Sequence, residues 1–380
     1  MEIGIVVHGP NIIDSGYAIK IISFLKDWGN VEAKLGGTMG RTAVIDAALE
    51  NEIDISSKLL PSESLEYFNK KNVDVIFLLN YGKSSVTGHV FGYKVFNHYI
   101  QNIKNNSISI IQIERPGDSD GSLINWNNEK NNEVSKITNE LIDNFKLKQV
   151  NPSEIEDKHF NSNNNSKFKR IIHGVSPNEN ILVNGIVVGK SKSSEIALIS
   201  KEGYLTEIEG GLIKEHGALK LGKLNLNKAI VKTGLLRNSI INPRKIENDA
   251  DEDQFKVAFL DHAAYDVYKF KDMDLVVTVG DDTTLLAGDI LYRYNIPIIG
   301  ITDGDLDKVV KKGFKTNDSF IFEVESGFDD IIGEKVFKEI FKNSEILKFS
   351  LNDYNKESFK NKKINEIKSC IIKIINNMNI

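Results

Sequence analysis

The stretch DLVVTVGDDTTLL (residues 274–286) joins a short apolar run to a helical pattern through a glycine. An unbroken apolar run of this length is typical of a strand that is buried on both faces of a parallel sheet. A second apolar run follows at 296–301, and strand, helix and strand in this order form the unit from which parallel sheets are built. The sequence therefore predicts an α/β unit at this end of the chain.

The first third of the chain shows the same alternation. Strand-like stretches rich in apolar residues at 3–7, 73–79 and 107–113 are separated by helical patterns, for example at 17–28 and 91–103. Between the two ends, short strand-like runs are separated by glycine turns, which indicates a small sheet or barrel. We therefore expect an α/β fold with Rossmann-like parallel-sheet units at both ends and a small β-rich domain between them.

The predicted domain boundaries follow these changes of pattern. They are a Rossmann-like domain at 1–150, a polar linker at 151–168, a β-rich domain at 169–246, an α/β unit with acidic loops at 255–345 and a helical tail at 346–380.

Composition excludes several classes of protein. The net charge of −5 and the pI of about 5.9 make a nucleic acid an improbable partner, because nucleic-acid-binding proteins usually carry clustered basic residues. A single cysteine, Cys370, rules out an internal disulfide and a cysteine-based zinc site. The chain lacks a long uncharged apolar run, and its start reads as a strand, not as a signal peptide. We therefore expect a cytoplasmic protein with no membrane partner.

Acidic residues follow two consecutive predicted strands. The turn at 280–284 contains Asp282, and the turn at 302–307 contains Asp303 and Asp305. Because the carboxyl ends of neighbouring parallel strands meet at one edge, these three carboxylates are candidate ligands for Mg²⁺. Thr283 and Thr284, at the start of the helix, are candidate phosphate ligands. The alternative is that these residues only cap the helix and form turns.

The N-terminal strands also end in polar, glycine-containing turns. A candidate anion-binding turn spans 36–42, with Lys83 from a neighbouring turn as an added charge. Its candidate phosphate-binding or substrate-binding residues are Gly37, Thr38, Gly40, Arg41, Thr42 and Lys83. The alternative is that tight turns need these glycines in any case. His8, at the end of the first strand, could be a general base, although a lone strand-end histidine is more often structural.

The segment GDDTTLL (residues 280–286) resembles the Gly-Gly-Asp-Gly-Thr-Leu-Leu turn of NAD kinases and related lipid and sugar kinases. The Gly-Ile-Asn of that family has its counterpart in GIT (residues 300–302). The resemblance implies that Asp282 is the catalytic residue. Asp281 and Thr283 replace two of the family's glycines, and the β-rich region precedes the motif instead of following it. The similarity is local and covers residues 274–302.

Over nearly its full length the chain resembles an uncharacterised family of methanogenic archaea, a domain of unknown function. The resemblance is carried by segments that include VHGP (7–10), LGGTMGRT (35–42), LNYGK (79–83) and AGDILY (287–292). It implies an archaeal, cytoplasmic protein and supplies no activity.

Three functional hypotheses follow from these patterns. The first is an enzyme that binds a nucleotide or another phosphorylated small molecule with Mg²⁺ and transfers a phosphoryl or nucleotidyl group. The second is a non-catalytic ligand-binding or regulatory protein that uses the same strand ends. The third is an assembly factor whose β-rich segment and tail engage a protein partner. Magnesium-dependent turnover distinguishes the first from the other two.

Overall fold

A computed structural model gives the fold of the chain. The residues that it describes are 1–38, 40–82, 85–103, 108–127, 131–155, 167–173, 175–184, 186–226, 229, 231–234, 237, 242–246, 253–261, 267–304, 315–351 and 356–378. The chain divides into two compact units, Met1–Ile241 and Asn242–Ile380.

The first unit contains a sheet of six strands in the order β2-β1-β3-β4-β5-β6. Neighbouring strands in it are parallel, except that β4 and β5 are antiparallel. The strands are β1 (Glu2–His8), β2 (Asn30–Gly36), β3 (Val75–Asn80), β4 (Ser109–Glu114), β5 (Ser122–Asn125) and β6 (Lys148–Val150). Every residue of β3 and β4 is buried, as expected for strands covered on both faces.

Helices cover both faces of this sheet. They are α1 (Asn11–Asp14), α2 (Tyr17–Lys26), α3 (Arg41–Asp46), α4 (Pro61–Lys70), α5 (Ser85–Asn102) and α6 (Asn132–Phe145). Helices α2 and α6 pack on one face of the sheet, and α4 and α5 pack on the other. The chain thus leaves β1 toward one face and its neighbour β3 toward the other. This divergence is a topological switch point, where open α/β sheets form a crevice.

The β-rich region also belongs to the first unit. It forms two antiparallel sheets, in the orders β11-β10-β7 and β12-β9-β8-β13, around a shared apolar core. Its elements are β7 (Lys167–His173), β8 (Asn180–Val183), β9 (Ile186–Ser191), β10 (Glu195–Lys201), β11 (Tyr204–Glu209), β12 (Gly211–Ile213), α7 (Glu215–Leu221) and β13 (Val231–Thr233).

The second unit contains a five-stranded sheet in the order β17-β16-β15-β14-β18. Strands β14 to β17 are parallel, and β18 is antiparallel to β14. Its elements are β14 (Gln254–Leu260), β15 (Leu275–Val279), α8 (Asp281–Leu291), β16 (Ile298–Thr302), β17 (Phe320–Glu323), α9 (Asp329–Glu339), β18 (Ile346–Ser350) and α10 (Lys356–Asn376), with short 3₁₀ helices at Val267–Phe270 and Tyr292–Tyr294.

The mixed α/β class, with parallel strands at both ends and antiparallel sheets between them, is confirmed. The finer Rossmann-like assignment and the domain boundaries stay predictions. One element differs from expectation: residues 346–350 of the predicted helical tail form β18, because Leu347 and Phe349 pair with the exposed edge of β14. The helix begins later, at Lys356, and buries Ile364, Ile367 and Ile371 in the core. No helix in the described part of the chain is long and apolar enough to cross a bilayer.

Candidate functional site

Three polar side chains meet at the carboxyl edge of the first sheet. His8, Asn80 and Glu114 end strands β1, β3 and β4, and the strand register places the three residues side by side. The His8 ring nitrogen Nδ1 lies 2.8 Å from the Asn80 oxygen Oδ1. The Asn80 nitrogen Nδ2 in turn donates to the Glu114 oxygen Oε2 at 2.7 Å. We call this chain of hydrogen bonds the polar relay. It begins at the switch point between β1 and β3.

Glu114 is the buried end of the relay, with no exposed surface. Besides Asn80, its carboxyl group accepts hydrogen bonds from the Gly82 backbone at 2.6 Å and from the Gln112 side chain at 2.9 Å. Burial raises the pKa of Glu114 from its ordinary 4.5 to about 7, because removal from water disfavours the charged form more than these donors favour it. The carboxyl group therefore titrates near neutral pH.

His8 is the outer end of the relay. Its ring stacks on Phe91 with the two centroids 3.9 Å apart. Burial lowers the pKa of His8 from 6.5 to about 4; the hydrogen bond to Asn80 opposes this shift and the positive charge of Lys232 adds to it. His8 is therefore a neutral imidazole at neutral pH. Two titratable groups with oppositely shifted pKa values in one constellation are a recurring feature of catalytic and binding sites.

Helix α5 leaves room for the relay because it carries two glycines one turn apart. A Cβ atom at Gly88 would overlap the Glu114 carboxyl group, and one at Gly92 would overlap the Gln112 side chain. The Gln112 amide bonds both the Gly88 carbonyl, at 2.9 Å, and the indole nitrogen of Trp126, at 3.2 Å. The helix can therefore approach β4 closely enough to seal Glu114 from water.

The loop after β3 is held by charges of its own. Arg115 donates to the Gly82 carbonyl at 2.6 Å and pairs with Asp120 at 2.9 Å. Asp120 also accepts a hydrogen bond from the Ser85 backbone, at the first residue of α5, at 3.2 Å. The positive end of this helix thus already has a carboxylate beside it.

The predicted anion-binding turn at 36–42 adjoins the relay, but its arginine points inward. Arg41 is 2% exposed and donates to the Ser57 carbonyl at 3.2 Å, so its guanidinium is held inside the fold and not displayed to solvent. Thr42 is also buried, while Gly37 has a φ of +91° and donates to the Leu59 carbonyl. Thr38 and Gly40 complete the turn, and Lys83 lies outside the described residues.

In the second unit, the predicted adjacency of the two acidic turns is confirmed as far as they are described. Strands β15 and β16 are parallel neighbours, and the Gly280 backbone donates to the Ile301 carbonyl at 2.9 Å. The Thr284 hydroxyl is buried and meets that of Thr278 at 2.8 Å, and Thr283 bonds the Asp261 carbonyl at 3.4 Å. The Thr284 hydroxyl therefore joins the helix to the sheet inside the fold, and the Thr283 hydroxyl bonds to the backbone that follows β14.

The acidic side chains of this edge are only partly described. Asp282 is exposed, Asp303 accepts from the Gly327 backbone at 3.0 Å, and Asp305 lies outside the described residues. A further acid lies here: burial raises the pKa of Asp329, and the charge of Asp303 adds to the effect. Among the described residues, no three His, Cys, Asp or Glu side chains form a group that could hold a metal ion.

Sequence reasoning missed Asn80, Gln112 and Glu114 as site residues. A signal was nevertheless present. Gln112 and Glu114 alternate with apolar residues in a buried strand and therefore point to the same face. Gly88 and Gly92 are spaced one helical turn apart on the helix that packs there. Polar residues inside a strand and small residues on its covering helix together indicate a buried polar site.

Comparison with known proteins agrees with the resemblance drawn from the sequence motifs. A curated protein of Methanocaldococcus jannaschii, described as uncharacterized, is 45% identical over 371 residues, which cover 96% of this chain and 98% of that protein. No solved structure gives a significant match. A family model described as an uncharacterized protein conserved in archaea (DUF2117) matches residues 5–344, a range that includes the whole polar relay. The chain therefore belongs to this archaeal family.

Proposed function

We propose that the chain binds a phosphorylated small molecule, such as a nucleotide, at the carboxyl edge of the first sheet. The observation that carries the proposal is the position of the polar relay at the switch point between β1 and β3. Ligands of open α/β sheets bind in the crevice outside the carboxyl ends of the strands at such a point. A pocket that combines apolar walls with a few convergent polar groups is the usual form of a small-molecule site.

The turns beside the relay support an anionic ligand. Gly9 and Gly37 have positive φ values of +79° and +91°, and a side chain at Gly9 would meet open space. Backbone without side chains can approach a phosphate closely and present its N–H groups to it. Lys232, on β13, is exposed and near enough to His8 to affect its titration, so it supplies a positive charge on this side of the unit.

Phosphoryl or nucleotidyl transfer with Mg²⁺ is the finer form of this proposal. Turnover of a nucleotide that depends on Mg²⁺ supports transfer, and binding without turnover supports a regulatory or ligand-carrying role. A protein that copurifies in constant ratio supports the third alternative, an assembly factor.

The proposal is tested by thermal shift on the full chain with AMP, ADP, ATP and inorganic phosphate, each with and without Mg²⁺. We expect at least one of the nucleotides to raise the melting temperature, because a ligand that binds only the folded state stabilises it by mass action. The Lys232→Ala variant should bind that nucleotide roughly ten- to a hundredfold more weakly, as expected for the loss of one charge-assisted contact.

Lys220→Ala is the matched control, since it removes the same charge from an exposed position on α7 of the same unit. Its affinity should equal that of the wild type. The proposal fails if none of the nucleotides stabilises the protein, or if the two lysine variants lose affinity equally.

A further inference from the structure

The hydrogen-bond pattern of the relay determines where the hydrogen on His8 sits. The Asn80 amide has one donor side and one acceptor side. Above about pH 7 the Glu114 carboxyl group is ionised and can only accept, so at that pH the Asn80 nitrogen donates to it and the Asn80 oxygen is the atom that faces His8. Because an amide oxygen only accepts, the His8 nitrogen Nδ1 must carry the hydrogen.

The other ring nitrogen of His8 is then a hydrogen-bond acceptor. With the hydrogen on Nδ1, a neutral imidazole carries a lone pair on Nε2. Nε2 has no hydrogen-bond partner among the residues that the structure describes, it is not among their buried polar atoms that lack a partner, and the His8 side chain is partly exposed. The stack on Phe91 fixes the plane of the ring, and the ring carbon Cδ2, next to Nε2, faces Gly37 in the anion-binding turn.

We infer that Glu114 and Asn80 hold His8 in the Nδ1–H tautomer, so that Nε2 accepts a hydrogen bond from a hydroxyl or amino group of the bound molecule. This inference rests on the proposed function for the existence of that molecule, and it narrows its chemistry. The ligand carries a hydrogen-bond donor close to its phosphate, as a sugar phosphate or a nucleotide does. An anionic oxygen at this position is excluded, because it would meet the lone pair of Nε2 without a hydrogen between them. Asn80 and Glu114 are positioning residues, and His8 is the residue that touches the ligand.

A second histidine of the same unit provides an internal comparison. Nδ1 of His98 lies 3.0 Å from the Ser62 hydroxyl. A hydroxyl can donate or accept, so this contact does not fix a tautomer. A preference for Nδ1–H at His8 that His98 does not share therefore reflects the relay.

The tautomer is measured without any ligand, by two-bond ¹H–¹⁵N NMR of the full chain labelled at histidine, at about pH 8. The His8 signals are identified by their loss in His8→Gln. We expect Nδ1 of His8 to be protonated and Nε2 to be unprotonated. Asn80→Leu, which removes the acceptor oxygen, should abolish this preference. Protonation of Nε2 in the wild type overturns the inference, even if the Asn80→Leu variant does not fold.

Accessibility of Nε2 is measured with diethyl pyrocarbonate at about pH 8, where Glu114 is ionised, as in the tautomer measurement. The lone pair of the unprotonated imidazole nitrogen attacks a carbonyl carbon of the reagent, an N–C bond forms, and the C–O bond to the departing ethyl carbonate breaks. The hydrogen on the other ring nitrogen is then lost to solvent, which leaves a neutral modified ring. We expect mass spectrometry to find the modification on His8. Lack of reaction at His8, while other histidines react, shows that Nε2 is not available and overturns the inference.

The link to the ligand is tested by protection. A nucleotide identified in the thermal-shift panel should slow the modification of His8 about tenfold at roughly ten times its Kd, by simple occupancy. If it binds and His8 stays equally reactive, the ligand does not meet Nε2 and the inference fails while the proposed function stands. If no nucleotide binds, the proposed function fails, whereas the tautomer and reactivity measurements still decide the state of His8.

Discussion

Glu114→Gln is expected to change how the stability of the first unit depends on pH. The substitution keeps the size of the side chain and an acceptor oxygen for Asn80, and it removes the ionisable group. In the wild type the pKa of Glu114 rises from 4.5 to about 7 on folding, chiefly through burial. The proton on Glu114 therefore contributes fully to the free energy of unfolding below pH 4.5, and this contribution is lost as the pH rises through about 7. This direction is opposite to that of a carboxylate held by a salt bridge.

The size of the effect follows from the two pKa values. A shift of one pKa unit corresponds to 1.36 kcal/mol, so the full difference is about 3 kcal/mol. Between about pH 5 and about pH 8, roughly 2.5 kcal/mol of it should be lost. The free energy of unfolding of the wild type minus that of Glu114→Gln should fall by this amount. The hydrogen bond to Gly82 that the variant weakens adds an offset at both pH values and cancels from the comparison.

His8 opposes Glu114 in nearly the same pH range. Its pKa falls from 6.5 to about 4 on folding, chiefly through burial, so its favourable contribution is complete above pH 6.5 and is lost as the pH falls toward about 4. The two groups therefore nearly cancel in the wild type. In His8→Gln only Glu114 remains, so the free energy of unfolding should fall as the pH rises. In Glu114→Gln only His8 remains, so the free energy of unfolding should increase as the pH rises.

Urea unfolding followed by tryptophan fluorescence measures these differences. Both tryptophans of the chain, Trp28 and Trp126, lie in the first unit, so the signal reports that unit alone. The reasoning is refuted if the difference between wild type and Glu114→Gln stays constant within about 0.5 kcal/mol between the two pH values, because the extrapolation error is of that order.

Three further predictions concern neighbouring parts of the molecule. In an exposed helix, a Gly→Ala substitution raises the free energy of unfolding by about 1 kcal/mol. Gly88→Ala should instead lower it by roughly 1–3 kcal/mol, because the new methyl group overlaps the Glu114 carboxyl group. A stabilised variant would contradict the close packing of α5 on β4. Arg41→Ala should lower the free energy of unfolding by roughly 1–3 kcal/mol, because it removes a buried side chain that donates to the Ser57 carbonyl. If the free energy of unfolding is unchanged and nucleotide binding is weaker, the prediction of a ligand-binding arginine is supported instead. Asp282 is the second residue of α8, whose N-cap is Gly280, so its charge lies in the first turn of the helix. Without Mg²⁺, Asp282→Asn should lower the free energy of unfolding by about 0.3–1 kcal/mol, because it removes a negative charge from the positive end of the helix. A wild type stabilised by Mg²⁺ and a variant that has lost this response would support the metal hypothesis.

The parts of the fold that the sequence predicted are those set by local pattern. Stretches rich in apolar residues predicted strands β1, β3 and β15, because such stretches are stable only when both faces of a strand are covered. The helical spacing of Ile364 and Ile371 gave the buried face of α10. Adjacency of the turns after β15 and β16 followed from the short crossover between them.

The relay could not be derived in this way, because it depends on the register of strands distant in sequence. Asn80 and Glu114 appear in the sequence as polar residues that open turns, and only the pairing of β3 with β4 places them side by side. The prediction of a solvent-facing Arg41 was also wrong, because it rested on charge alone. A lone arginine in a glycine-rich turn suggests a solvent-facing cation, but the Ser57 carbonyl lies where the folded guanidinium can reach it. A local pattern can indicate that a polar site is buried, but the partner of each side chain is set by tertiary contacts.

The energetics of the relay give a reason to seek function there before the acidic edge of the second unit. An isolated buried carboxyl group and a histidine kept neutral both lower stability at some pH, and apolar residues of similar volume would fill the same space with less loss. The fold nevertheless surrounds Glu114 with three donors and uses two helix glycines to seal it. Such an arrangement does little for stability, and its outer end, His8, reaches the switch point. In the second unit, by contrast, the described threonine hydroxyls bond to the Thr278 side chain and to the Asp261 backbone, and so attach the start of α8 to its own unit. Stability lost at a ligand-binding edge indicates a role in binding or chemistry, so His8 is the first residue to probe.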